Sequence, residues 1–262
     1  MPRQLGNFIK FMGTAGARYV VSQQLRSSAG IWLAYEGTHL LIDPGPGTLV
    51  KVYQGKPKLD PLKLDAIILS HRHVDHSCDA NVMIEAMTQG GSIRRGKVFA
   101  PPDALEEEPV VFQYVRNYVE EIVPLQAWGQ YQVGGIKFET TVRHRHGVET
   151  YGLKLQLGTI SVAFIADTAF FPELPKLYSA DIIIMNTVRF SPTGPGGLVH
   201  LCLDDARRIL TEASPKVKLG ILTHFGMTLV KSDPAISAKQ MSSEVGIPVI
   251  AASDGMILKM DW

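Results

Sequence analysis

The chain has 262 residues, a formal net charge of +1, 45% hydrophobic and 19% charged residues. That is ordinary globular composition, ample for a buried core. The balanced charge leaves no electrostatic footprint for bulk nucleic-acid or anionic-membrane binding. Two cysteines, Cys78 and Cys202, cannot build a disulfide scaffold and form no CxxC pair, which fits a reducing compartment. Met1–Gly16 lacks a continuous apolar segment of signal-peptide type, and the apolar runs are strand-sized rather than membrane-spanning. The expectation is a cytoplasmic chain folded as a single domain over residues 1–262.

From the N-terminus, short runs rich in Ile, Val, Leu, Phe or Thr and bounded by turn residues predict strands at Phe8–Met12, Ile31–Tyr35, His39–Ile42 and Ala66–Ser70. Asp79–Thr88 carries Val82, Met83, Ala86 and Met87 on one helical face. Lys97–Ala100 reads as a strand. Pro109–Val119 reads as a helix, with proline in its first turn and the acidic Glu106–Glu108 before it as a solvated face. Strands follow at Ile136–Thr140, Gly152–Leu157 and Thr159–Ile165, with Gly158 as a tight hairpin. Ile182–Met185 is a further strand, and Asp204–Ala213 a helix that ends before Ser214-Pro215. Leu219–Leu222, Pro248–Ala251 and Met256–Lys259 complete the strands. Gly45-Pro46-Gly47 and Gly194-Pro195-Gly196-Gly197 read as turns, and no Walker or Rossmann fingerprint is present. Strands dominate with helices interspersed, which predicts a layered α/β architecture.

The chemistry concentrates where Ile67-Ile68-Leu69-Ser70 runs into His71-Arg72-His73-Val74-Asp75-His76. Neutral imidazoles with a carboxylate suit borderline divalent metals, zinc first, with manganese or iron as alternatives. Four such residues at a strand end can address two metals, because alternate side chains point in different directions. Further candidates stand at other strand ends: His144 and His146 before Tyr151, Asp167 after Val162–Ala166, and His224 after Leu219–Leu222. Of eight histidines, His39 and His200 fall outside this set, and His39 reads as a strand or turn residue.

The His-x-His-x-Asp-His segment resembles the signature of the metallo-β-lactamase fold superfamily, and the order of the other motifs agrees. Leu41-Ile42-Asp43-Pro44-Gly45 resembles the family's first motif. His146, shortly before Tyr151-Gly152, resembles the third; Ile165-Ala166-Asp167-Thr168 resembles the fourth, and Leu222-Thr223-His224-Phe225 the fifth. The resemblance implies a four-layer αββα sandwich with a dinuclear site along one edge. One divalent ion would take His71, His73 and His146; the other would take Asp75, His76 and His224, with Asp167 bridging. His144 is the alternative to His146, whose spacing to Tyr151-Gly152 matches the family better. Asp43 would orient ligand histidines without binding metal itself.

Within the superfamily, His at position 73 disfavours redox chemistry, since diiron oxygen-reducing members have Glu there. Phe11-Met12-Gly13-Thr14-Ala15-Gly16 and Arg26-Ser27-Ser28-Ala29 resemble the opening of ribonuclease Z and of phosphoribosyl cyclic phosphodiesterase. Asp254-Gly255-Met256 is similar to the cyclic phosphodiesterase ending. His200, before the helix beginning at Asp204, resembles the histidine that phosphodiesterase members use as a proton donor. These likenesses imply hydrolysis of a small anionic phosphodiester, cyclic ones included, by a metal-bridging hydroxide, with Asp75, Asp167 and His200 as catalytic residues. The short loops hold no glycine-rich tRNA-gripping arm, which disfavours structured tRNA. Arg26, Arg72, Arg145 and Arg189 are candidates to hold phosphate. The rival activities are hydrolysis of a lactone, thioester or lactam, and, behind it, a non-catalytic metal-binding partner protein; homo-oligomerisation is left open.

Overall fold

A computed structural model describes residues 6–28, 30–106, 108–192 and 199–260. The expected turn at Gly194–Gly197 lies outside the described residues, as does Ala29. The first half contributes β1 (Phe8–Phe11), β2 (Ile31–Tyr35), β3 (Thr38–Ile42), β4 (Ala66–Ile68), β5 (Lys97–Ala100) and β6 (Glu121–Pro124). The second contributes β7 (Gln130–Val133), β8 (Ile136–Thr140), β9 (Leu153–Leu157), β10 (Ile160–Ile165), β11 (Ile182–Arg189), β12 (Leu201–Cys202), β13 (Leu219–Thr223), β14 (Val249–Ala251) and β15 (Ile257–Lys259). Among the described residues these form two mixed sheets, ordered β15-β1-β2-β3-β4-β5-β6 and β14-β13-β11-β10-β9-β8-β7, with β12 beside β11. The last strand thus returns to the first sheet.

The helices are α1 (Ala17–Ser22), α2 (Thr48–Gln54), α3 (Val74–Ser77), α4 (Ala80–Thr88), α5 (Gln113–Arg116), α6 (Leu174–Leu177), α7 (Leu203–Glu212), α8 (Met227–Lys231) and α9 (Pro234–Val245). None of the described helices is long and apolar enough to cross a membrane.

Alternation of side chains along each strand decides the layering. Ile31 and Leu33 of β2 face inward and meet Val162, Phe164 and Ile184 of the opposite sheet in one buried cluster. Trp32, between them, faces outward with Leu41 and Ile67 and packs on Met83, Ile84 and Met87 of α4. On the other side, Ala163, Ile165 and Ile183 face outward against Ile209 and Leu210 of α7 and Met241 of α9. Sheet on sheet, with helices on both outer faces, is the αββα sandwich.

Two expectations need correction. Pro109–Val119 is helical only over Gln113–Arg116. The preceding backbone is diverted to α4, where Asn81 donates to the Val110 carbonyl and accepts from the Phe112 N–H. The strand expected at Ile182–Met185 runs on to Arg189, and its buried Asn186 and Thr187 carry it past the apolar run.

Candidate metal centre

Parallel pairing of β3, β4 and β5 in one sheet, and of β10, β11 and β13 in the other, brings several strand C-termini to the same edge of the sandwich. The segment after β4 delivers His71 and His73 and then α3, which carries Asp75 and His76. The loop after β10 delivers Asp167, and His224 directly follows β13. His146 comes from the loop between β8 and β9, and His200 from just before β12.

The donor atoms fall into two groups. His71 Nε2 and His146 Nε2 lie 3.0 and 3.1 Å from His73 Nδ1. Asp75 Oδ2 lies 3.7 Å from both His76 Nε2 and His224 Nε2. Asp167 stands between them, with Oδ2 3.9 Å from His146 Nε2 and 3.8 Å from His76 Nε2, and Oδ1 3.5 Å from His224 Nε2. His200 Nε2 is 3.2 Å from Asp167 Oδ2.

The hydrogen bonds at the back of the rings decide which nitrogens face inward. Asp43 accepts from the Ser70 N–H and hydroxyl and lies 2.9 Å from His76 Nδ1. A carboxylate only accepts, so His76 carries its proton on Nδ1. The Ser70 hydroxyl proton is committed to Asp43, so Ser70 Oγ accepts from His71 Nδ1 at 3.0 Å. His146 Nδ1 donates to the Val199 carbonyl at 3.1 Å. The Nε2 atoms of His71, His76 and His146 therefore point into the cluster.

That convergence fits divalent cations. Two nitrogens bound to one tetrahedral zinc are roughly 3.3 Å apart, close to the spacing of the first group. In the second, His76 Nε2 and His224 Nε2 are buried without a hydrogen-bond partner. A buried ring nitrogen left without a partner is costly, and a divalent cation would give each of these one. Both groups, together with His71–His76–Asp167 and His146–Asp167–His200, offer ligand atoms within 4.8 Å of one another. Asp43 and His224 both hold positive φ, +52° and +60°, the kind of backbone strain that collects at functional sites. Behind the second group a cavity of about 30 Å³, lined by Ser28, Asp43, Asp75, His76 and His224, has room for one water.

Charge follows the same plan. Burial opposes ionisation of Asp167, yet His224, His200 and His76 hold its carboxyl well below the usual carboxylate range. Burial also opposes charge on His76, but Asp75 and Asp43 outweigh it and raise the ring to about 10. Burial, then the neighbouring His76, keeps His71 well below an ordinary imidazole.

His144 does not enter the cluster: it is buried with Nε2 on the Tyr178 hydroxyl, and burial pushes it down to about 4. His39 accepts from the Trp32 indole away from the site. The four arginines divide. Arg72 is paired with Asp103 and Glu108. Arg26 donates to Thr14 and lies over the Phe225 ring, while Arg145 lies over Phe171; Arg189 is the last residue of β11. Asn186 and Ser70 were missed in the sequence. Asn186 donates to Asp167 Oδ1 at 2.8 Å, and its signal was a buried amide continuing an apolar strand.

Comparison with known proteins identifies the family and the fold. The Beta-lactamase superfamily domain matches residues 38–225, a span that contains every residue of the two groups. A ribonuclease Z of Methanopyrus kandleri is 24% identical, with 99% of each chain covered. The crystal structure of YhfI from Bacillus subtilis, a metallo-β-lactamase fold protein, superposes with a TM-score of 0.78 at 21% identity, covering 96% of this chain and 98% of that one. That of a diphosphatase from the PhnP family gives 0.68 at 21% identity, covering 96% of each. The chain belongs to the beta-lactamase superfamily and is a metal-dependent hydrolase of the metallo-β-lactamase fold.

Proposed function

We propose that this hydrolase is a dinuclear phosphodiesterase acting on a small anionic phosphodiester, cyclic ones included. The observation that carries the reading is Asp167, whose carboxylate lies within 4 Å of histidines from both donor groups. His71, His73 and His146 would hold one divalent ion, zinc first, and Asp75, His76 and His224 the other, with Asp167 shared. Such a pair supplies a water of lowered pKa and a positive field for the phosphoryl oxygens. Asp43, through Ser70 and His76, fixes the tautomers that keep the ligand lone pairs inward. His200, at the edge of the cluster on Asp167 Oδ2, delivers a proton to the leaving oxygen, which an alkoxide needs in order to depart. The similarity to a ribonuclease Z and to a PhnP-family diphosphatase supports phosphoester chemistry over attack at an acyl carbon.

The test is a substrate panel on protein reconstituted with zinc or manganese: bis(p-nitrophenyl) phosphate, a cyclic phosphodiester, a phosphomonoester, a lactone and a structured precursor tRNA. The diesters should be hydrolysed, with little turnover of the monoester or the tRNA. Lactone hydrolysis without diester hydrolysis would replace this reading with an acyl-hydrolase. Preferred cleavage of the tRNA would move the substrate to RNA.

A further inference from the structure

His144 lies two residues before a metal-group histidine and faces away from the cluster, yet it is built into the molecule with unusual completeness. It is 3% exposed, and both ring nitrogens are engaged. Nδ1 lies 3.2 Å from the backbone carbonyl oxygen of Asp167, and Nε2 lies 2.7 Å from the Tyr178 hydroxyl. Tyr178 is fully buried and accepts in turn from the Thr141 hydroxyl at 2.7 Å, itself 2% exposed.

Only one arrangement of protons satisfies this chain of groups. A carbonyl oxygen can only accept, so His144 Nδ1 carries the ring proton. Nε2 of the neutral ring can then only accept, so Tyr178 donates to it, and Thr141 donates to Tyr178. Each bond points toward Asp167. The same aspartate is gripped a second time, where Asn186 Nδ2 donates to its Oδ1 at 2.8 Å. Its peptide and its carboxylate are thus fixed by two separate buried donors. Satisfied buried networks of this kind stiffen the group on which they end, and losing one member strands the others.

We propose that His144 is a positioning residue of the metal centre: it fixes the Asp167 peptide, and through it the direction of the carboxylate that the two metal groups share. The inference rests on the reading of Asp167 as a shared ligand. It differs from a role in core packing, because only the Nδ1 side of the ring would matter to the metals. A packing residue would depend as much on the bond to Tyr178.

Asparagine and glutamine separate the two sides. His144→Asn keeps an amide nitrogen near the Nδ1 position and gives up Tyr178; His144→Gln reaches the Nε2 position and gives up Asp167. Cobalt(II) would be titrated into chelator-stripped wild-type protein and into the H144N, H144Q, H144A and D167A variants. The visible d–d absorption, bound metal per chain and melting temperature are recorded for each. H144N should stay within about threefold of wild-type cobalt affinity, and H144Q and H144A should lose about tenfold or more with an altered spectrum. H144Q with wild-type affinity and spectrum would overturn the proposal, as would equal losses in H144N and H144Q. Should H144A fail to fold, the asparagine–glutamine comparison decides alone. D167A with wild-type stoichiometry and spectrum is a different failure: it removes the shared-ligand reading itself, and the proposal with it.

Discussion

His200 and His76 both approach Asp167 Oδ2 and are asked to do different things. His200 Nε2 touches the Asp167 carboxylate from a ring that is about one-fifth exposed, where a leaving group can reach it. If it donates the proton, His200→Ala should leave metal content unchanged and slow diesters with alkyl leaving groups by about a hundredfold or more. Nitrophenolate departs without a proton, so an activated aryl diester should lose much less. Equal losses on the two substrates would argue for a positioning role instead. His76 is wedged between Asp43 and Asp75, which raise its pKa to about 10 in the stripped protein despite burial. A metal-ligating imidazole must be neutral, so loading at about pH 7 has to expel that proton. Protons compete with metal, and apparent affinity should fall as pH falls. Calorimetric titration in two buffers of different ionisation enthalpy should give different heats, and identical heats would contradict the assignment.

The elements hold these side chains in place by close backbone contact. The loop after β1 runs beside the end of β13, where Ala15 bridges Phe225 and the Gly16 N–H donates to the Phe225 carbonyl. A Cβ on Gly16 would sit 2.0 Å from the His224 carbonyl oxygen, so no side chain fits without moving that residue. Gly16→Ala should destabilise the fold by about 2 kcal/mol and weaken the metal of the second group more than that of the first. Metal binding unchanged from wild type would show that the contact does not set His224. At this scale the sequence was legible where pattern and burial coincide. α4 and α7 match their expected spans to within a residue or two, and the Gly158 hairpin pairs Leu157 with Ile160. β6 and β7 escaped because they are edge strands, with Glu121, Gln130 and Gln132 facing solvent and little apolar alternation to read. α9 was missed although its signals are present: Asp233 caps Ala235, Pro234 opens the helix, and Gly246 closes it at φ +70°. Its polar composition masked them.

Across the whole molecule, the sandwich brings to one edge residues that lie far apart in sequence, from Asp43 to His224. The donor groups could be listed from strand-end histidines and motif order. Spacing to Tyr151-Gly152 favoured His146 over His144, but the physical reason did not show in the sequence, because it depends on Tyr178 and Asp167 meeting the His144 ring across the fold. Likewise Asn186 acquires its contact with Asp167 only through the parallel register of β10 and β11. In the proposed reaction two ions, sharing Asp167, act together on a phosphodiester. Hydrolysis of bis(p-nitrophenyl) phosphate, followed while zinc is added stepwise to chelator-stripped protein, tests this. Activity should stay low through the first equivalent and rise as the second binds. Full activity at a single equivalent, or none at two while a lactone is turned over, would contradict it.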